Sequence, residues 1–119
     1  MGFTLLIAEP NDDVRDALVG YFSQHGFDVR TTDSGPGLNQ ELQCAPPQAV
    51  LLEPEVLCGF VSGSAPSVPT VVLTRQRGTP PTLPQEFKVE QRFEKPARLV
   101  EVAESLRAAA RDVGYIDPR

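Results

Sequence analysis

Three short apolar runs, Leu5-Leu6-Ile7-Ala8, Ala49-Val50-Leu51-Leu52 and Thr70-Val71-Val72-Leu73, stand out from an otherwise mixed chain. Uninterrupted runs of this length fit strands buried on both faces of a parallel sheet, where no position needs to be polar. Their polar stops are Glu9, Glu53 and Thr74. Between the first two runs the period changes. Val14, Ala17, Leu18, Tyr21 and Phe22 recur at helical spacing, with Asn11 placed to cap the start and Gly26 to end it. Phe27-Asp28-Val29-Arg30 then alternates like a half-covered edge strand. Ser34-Gly35-Pro36-Gly37 reads as a turn that delays the next helix until Leu38, from which it runs to about Cys44. A last short strand is expected near Val89 to Phe93, and Leu99, Val102, Ala103 and Leu106 line one face of a closing helix.

Strand alternating with helix predicts βαβ crossovers and a doubly wound, five-stranded parallel sheet, whose ligands and chemistry gather beyond the C-terminal ends of the strands. Two crossovers break the pattern. The stretch between Glu53 and Val71, and the stretch between Thr74 and Val89, each hold three prolines and no helical period, so the third and fourth helices should be shortened or missing.

At 119 residues the chain is sized for one domain, spanning 1–119 with a core of about 3–110 and a loose, aperiodic tail over 111–119. Apolar residues at 40% and charged residues at 23% are globular proportions. The net charge of −5 offers no basic field for a phosphate backbone, so direct nucleic-acid binding is not expected. Nor is a membrane role, since the N-terminus has no basic segment and its apolar run is too short for a signal peptide or a span; the expected location is cytoplasmic. Met1-Gly2 opens a myristoylation pattern that Leu6, in place of Ser or Thr, breaks. Cys44 and Cys58 lack metal or redox spacing and read as buried or half-buried thiols. His25, the only histidine, precedes Gly26 and reads as a helix-terminal residue.

The ordered stops carry a resemblance. LLIAEPNDDVRDAL, PQAVLLEPEVLCG, VVLT and FEKPARL fall in sequence with family-like spacing, and together they resemble the receiver domains of two-component response regulators from roughly Phe3 to Ala110. The fold implied is the flavodoxin-like receiver fold. The resemblance places Glu9 and Pro10 at the family's acidic pair, Glu53 at its phosphoacceptor aspartate, Thr74 and Lys95 at its phosphate-contacting hydroxyl and lysine, and Arg92 at its aromatic switch. Glu9 to Glu53, Glu53 to Thr74 and Thr74 to Lys95 are 44, 21 and 21 residues apart, and the middle interval is short for the family.

The departures bear on chemistry. In the family an aspartate attacks phosphorus while magnesium, held by that aspartate and the acidic pair, neutralises the phosphoryl oxygens. Pro10 offers no ligand, so magnesium binding is expected to be lost or very weak and no cofactor is assigned. Glu53 displaces the nucleophile by about 1.5 Å, and a shift near 1 Å can cost about a hundredfold where positioning governs rate. Glu53 is then either a standing substitute for phosphoaspartate, reaching to Lys95, or an acid that merely satisfies that lysine. Asp12 is a candidate displaced metal ligand from the first helical turn.

The expected function is therefore an atypical, pseudo-receiver domain in two-component or phosphorelay signalling, not an enzyme, acting through protein–protein contacts without accepting phosphate. The partner surface favoured by the resemblance is the last strand with the closing helix, which could also support a homodimer. One alternative is the N-terminal receiver portion of a larger regulator with a DNA-binding or enzymatic output domain beyond residue 119. A minor alternative is a small enzyme or nucleotide binder on the same scaffold, against which stand the missing P-loop, GxGxxG and Ser/His/Asp set.

Overall fold

The computed structural model describes residues 3–63, 67–75 and 82–111, with the side chains of 110 and 111 left aside. The first apolar run becomes β1 (Phe3–Ala8), and α1 (Asp12–Ser23) follows it. Asn11 caps α1 by accepting the Val14 amide at 3.0 Å, and Asp12 and Asp13 occupy the first turn, where the helix dipole favours acids. Leu18 and Phe22 are buried beneath α1, Val14 and Tyr21 are partly buried, and Ala17, expected on the same face, is exposed. The helix ends as its sequence implies. His25 stacks on Tyr21 at 4.1 Å and its Nδ1 donates to the Tyr21 carbonyl at 2.7 Å, while Gly26 takes a left-handed φ of +89°.

β2 (Phe27–Thr32) leads to α2 (Gly35–Cys44), which starts three residues before the expected Leu38. Ser34 explains the difference, because its hydroxyl accepts the Gly37 amide at 3.1 Å and makes Ser34 an N-cap. Pro36 suits the first turn, where its missing amide hydrogen is not needed. β3 (Ala49–Leu52) is followed by a single 3-10 turn (Pro54–Leu57), then β4 (Val68–Thr74), β5 (Phe87–Glu94) and α3 (Leu99–Arg111).

All strand pairs are parallel, in the order β2-β1-β3-β4-β5. This is the doubly wound sheet expected, with three α-helices among the described residues. α1 and α3 cover one face over Leu5, Ile7, Leu51, Val71 and Leu73, while α2 and Val56 of the 3-10 turn cover the other over Leu6, Val50 and Leu52. The central runs are almost wholly apolar because both of their faces are buried, and the one polar member, Thr70, donates its hydroxyl to the Val68 carbonyl at 3.0 Å.

The third crossover is indeed short, and specific bonds replace its helix. Asn39 of α2 brackets the backbone of Val61, donating to its carbonyl and accepting from its amide, both at 2.8 Å. Glu86, buried just before β5, accepts Ser62 Oγ at 2.7 Å and the Gly63 amide. Phe60 lies against Phe87 at 5.2 Å. Expectation for the fourth crossover falls largely on 76–81, outside the described residues; 82–86 contain no helix. The expected loose tail likewise falls outside them, apart from Arg111, which belongs to α3.

Cys44 and Cys58 correct the sequence reading, since both thiols are exposed. Each sits where an element ends, Cys44 at the last residue of α2 and Cys58 just after the 3-10 turn, and position overrides the usual preference of free cysteine for the interior.

Candidate functional site

Beyond the strand ends the backbone ladder continues for one more step, and that step places the side chains. The amide of Glu9 donates to Thr32 O at 3.1 Å, that of Glu53 to Ala8 O at 2.9 Å, and that of Lys95 to Thr74 O at 2.8 Å. Residues closing β1, β3, β4 and β5 thus converge at one end of the sheet. Glu9, Glu53 and Thr74 are all buried there.

Lys95 Nζ lies 2.5 Å from Glu9 Oε1 and 3.3 Å from Glu53 Oε1. The ammonium therefore bridges two carboxylates, and its closer partner is Glu9, whereas the sequence pointed to Glu53 alone. Glu9 Oε2 accepts the Asn11 amide at 3.1 Å. Glu53 Oε1 also accepts the Arg75 amide at 3.2 Å, while Glu53 Oε2 is buried with no hydrogen-bond partner. Burial of this kind raises the stakes of each contact, because a charge withdrawn from water depends on its neighbours for solvation.

Asp12 is not brought into the cluster. Its carboxylate is 80% exposed and lies 2.5 Å from Arg15 Nη2, while Arg15 Nη1 donates to the Glu9 carbonyl at 3.0 Å. The Asp12 hydrogen bond, with the charges of Asp12, Asp33 and Asp16, holds the Arg15 guanidinium above its ordinary range. Arg92 stands beside Glu94 at 3.3 Å on β5, and the adjacent Phe93 packs against the core under α1 and α3.

The residues present do not fit the divalent metal that receiver chemistry uses. Pro10 supplies no side-chain donor, Asp12 faces outward to Arg15, and both remaining carboxylates are turned to an ammonium. Among the described residues no group of three or more His, Cys, Asp or Glu side chains is arranged to hold a metal ion. What the cluster can do is fix the ends of three strands relative to one another through a permanent internal cation. Sequence reasoning missed Arg75, whose contribution is a backbone amide and carries no side-chain signature, and the Glu86 and Asn39 staples, which join residues 22 to 24 positions apart without any period.

No protein-family model matches the chain, and no curated protein sequence matches it. Solved structures do. The N-terminal domain of a response regulator/sensory box/GGDEF three-domain protein from Carboxydothermus hydrogenoformans superposes with a TM-score of 0.72 at 15% identity, covering 92% of this chain and 95% of that one. The beryllofluoride-activated NtrC receiver domain gives 0.68 at 13% identity, over 97% and 99% of the two chains. A CheY-like response regulator receiver domain from Methylobacillus flagellatus gives 0.65 at 14% identity, over 92% and 99%. Order of strands, placement of helices and these superpositions agree: the chain has the fold of a response-regulator receiver domain, with fewer covering helices among its described residues.

Proposed function

We propose that this protein is a receiver-type signalling domain that works through contacts with a protein partner and does not accept phosphate. The observation carrying this reading is the bridge from Lys95 to both Glu9 and Glu53. A phosphoryl donor approaching Glu53 meets a buried carboxylate already held by an ammonium and a backbone amide, beside a second carboxylate that repels it. Transfer in receivers depends on a metal and a well-placed nucleophile, and neither requirement is met by Pro10 and Glu53. The cluster instead holds the strand ends in one arrangement. Incubation with acetyl phosphate and magnesium is expected to give no stoichiometric acid-labile adduct by intact mass; such an adduct at Glu53 would overturn the reading.

The partner surface we favour is β5 with α3. Val89 on β5 and Val100 on α3 are apolar side chains 45% and 53% exposed on this surface. A second reading, a receiver coupled to an output domain, is favoured by one finding: in the Carboxydothermus protein this fold is the N-terminal domain of three. The coding sequence downstream of Arg119 decides it.

A further inference from the structure

Glu9 and Glu53 present two buried carboxylates about a common point, and the position between them is filled from within the chain. Lys95 reaches that point across 86 residues of sequence from Glu9 and 42 from Glu53, anchored just past β5 by its amide on the carbonyl of Thr74 at the end of β4. Its own side chain is only 13% exposed, against 2% and 0% for its two partners. We infer that Lys95 is a tethered cation that takes the place of a bound divalent ion: it neutralises the carboxylate pair, keeps this end of the sheet assembled without metal, and bars divalent cations from Glu9 and Glu53.

The argument is one of charge and ligand chemistry. An ammonium has three donors and no acceptor, so it satisfies carboxylates as a metal does but cannot itself ligate one. A divalent ion brought to the same oxygens would stand within a few ångströms of a like charge in a poorly solvated site, where repulsion is weakly screened. Pro10 adds no side-chain oxygen, so a divalent ion there would draw most of its remaining shell from water. Glu53 Oε2, buried without a partner, shows that the pair carries more acceptor capacity than the lysine alone uses. With the lysine removed, two uncompensated carboxylates would face each other, and a divalent cation becomes the species that best relieves them.

The test is chemical denaturation of the full chain at constant ionic strength, with magnesium or calcium chloride or with EDTA. Wild type is expected to unfold at the same denaturant concentration in all three. Lys95→Ala is expected to lower the folding constant by roughly a hundredfold or more, since one member of a buried ion cluster has been deleted. Its midpoint should rise saturably with divalent cation, as for any ligand that binds only the folded form. Lys95→Ala combined with Glu53→Gln should lose that response. A saturable rise in wild type, or a folded Lys95→Ala with no response, overturns the inference. Should Lys95→Ala not fold, Lys95→Ala combined with Glu9→Gln decides instead: it removes one of the two opposed charges and must be more stable than the single variant, and a double variant no more stable overturns the inference. This measurement reads stability alone, so its failure is distinguishable from phosphorylation of Glu53.

Discussion

Glu53 ends β3 with its Oε1 shared between the Arg75 amide at 3.2 Å and Lys95 Nζ at 3.3 Å, distances that leave little room for retreat. Glu53→Asp withdraws the carboxyl by about 1.5 Å and carries both contacts past useful hydrogen-bond length. The expected loss is about 1–3 kcal/mol, read as a lower denaturation midpoint at unchanged slope. A Glu53→Asp protein as stable as wild type would show that the extra methylene is not needed for the contact. At this scale the sequence was half legible. The positions of Glu9, Glu53 and Thr74 could be read from apolar runs and their polar stops, and that of Lys95 from the resemblance carried by FEKPARL. Which acid Lys95 grips most closely could not, because that choice depends on how far β1 and β3 extend beside each other, and register is a property of the sheet.

At the scale of elements, α2 and the segment that replaces the third crossover helix fit together closely. A Cβ on Gly35 would come within 2.4 Å of both the Cys58 carbonyl oxygen and the Phe60 amide nitrogen, so the glycine is required by approach of backbone to backbone. Gly35→Ala is expected to cost about 1–3 kcal/mol, and amide exchange at residues 58–61 should quicken more than exchange in β1. Asn39→Ala removes both bonds to Val61 and should quicken the same amides, at a cost of about 1–3 kcal/mol. The Gly-Pro-Gly segment looked like a turn because its composition is that of turns. Its helical role depends on Ser34 as a cap and on contact with Cys58, and the second of these lies more than twenty residues away. Long-range staples of this sort leave no periodic trace, whereas the central strands, each built on a run of three or four apolar residues, are legible from the chain alone.

At the scale of the molecule, the described residues cover the two faces of the sheet unequally. α1 and α3 lie over one face, while on the other α2 is joined by a 3-10 turn and a stapled segment. β5 is an edge strand, and its charged pairs, Lys88 with Glu90 and Arg92 with Glu94, guard it against uncontrolled pairing with other strands. Val89 interrupts that guard on β5, and Val100 is exposed on α3. Val89→Glu and Val100→Glu are expected to leave the unfolding midpoint nearly unchanged, since both side chains are already hydrated, and to weaken partner capture or self-association measured by sedimentation. If association survives both changes, the binding surface lies elsewhere on the molecule.

The ion cluster also imposes an order on biosynthesis. Glu9 leaves the ribosome 86 residues before Lys95, an interval of about 4 to 17 s at ordinary elongation rates. Over the last 42 of those residues, about 2 to 8 s, a nascent chain long enough to pair β1 with β2 and β3 has two acids at its strand ends and no lysine to meet them, so water must keep solvating both. Closure of that end of the sheet waits for the last strand to emerge, and a chain released before Lys95 cannot bury Glu9 and Glu53 together at neutral charge.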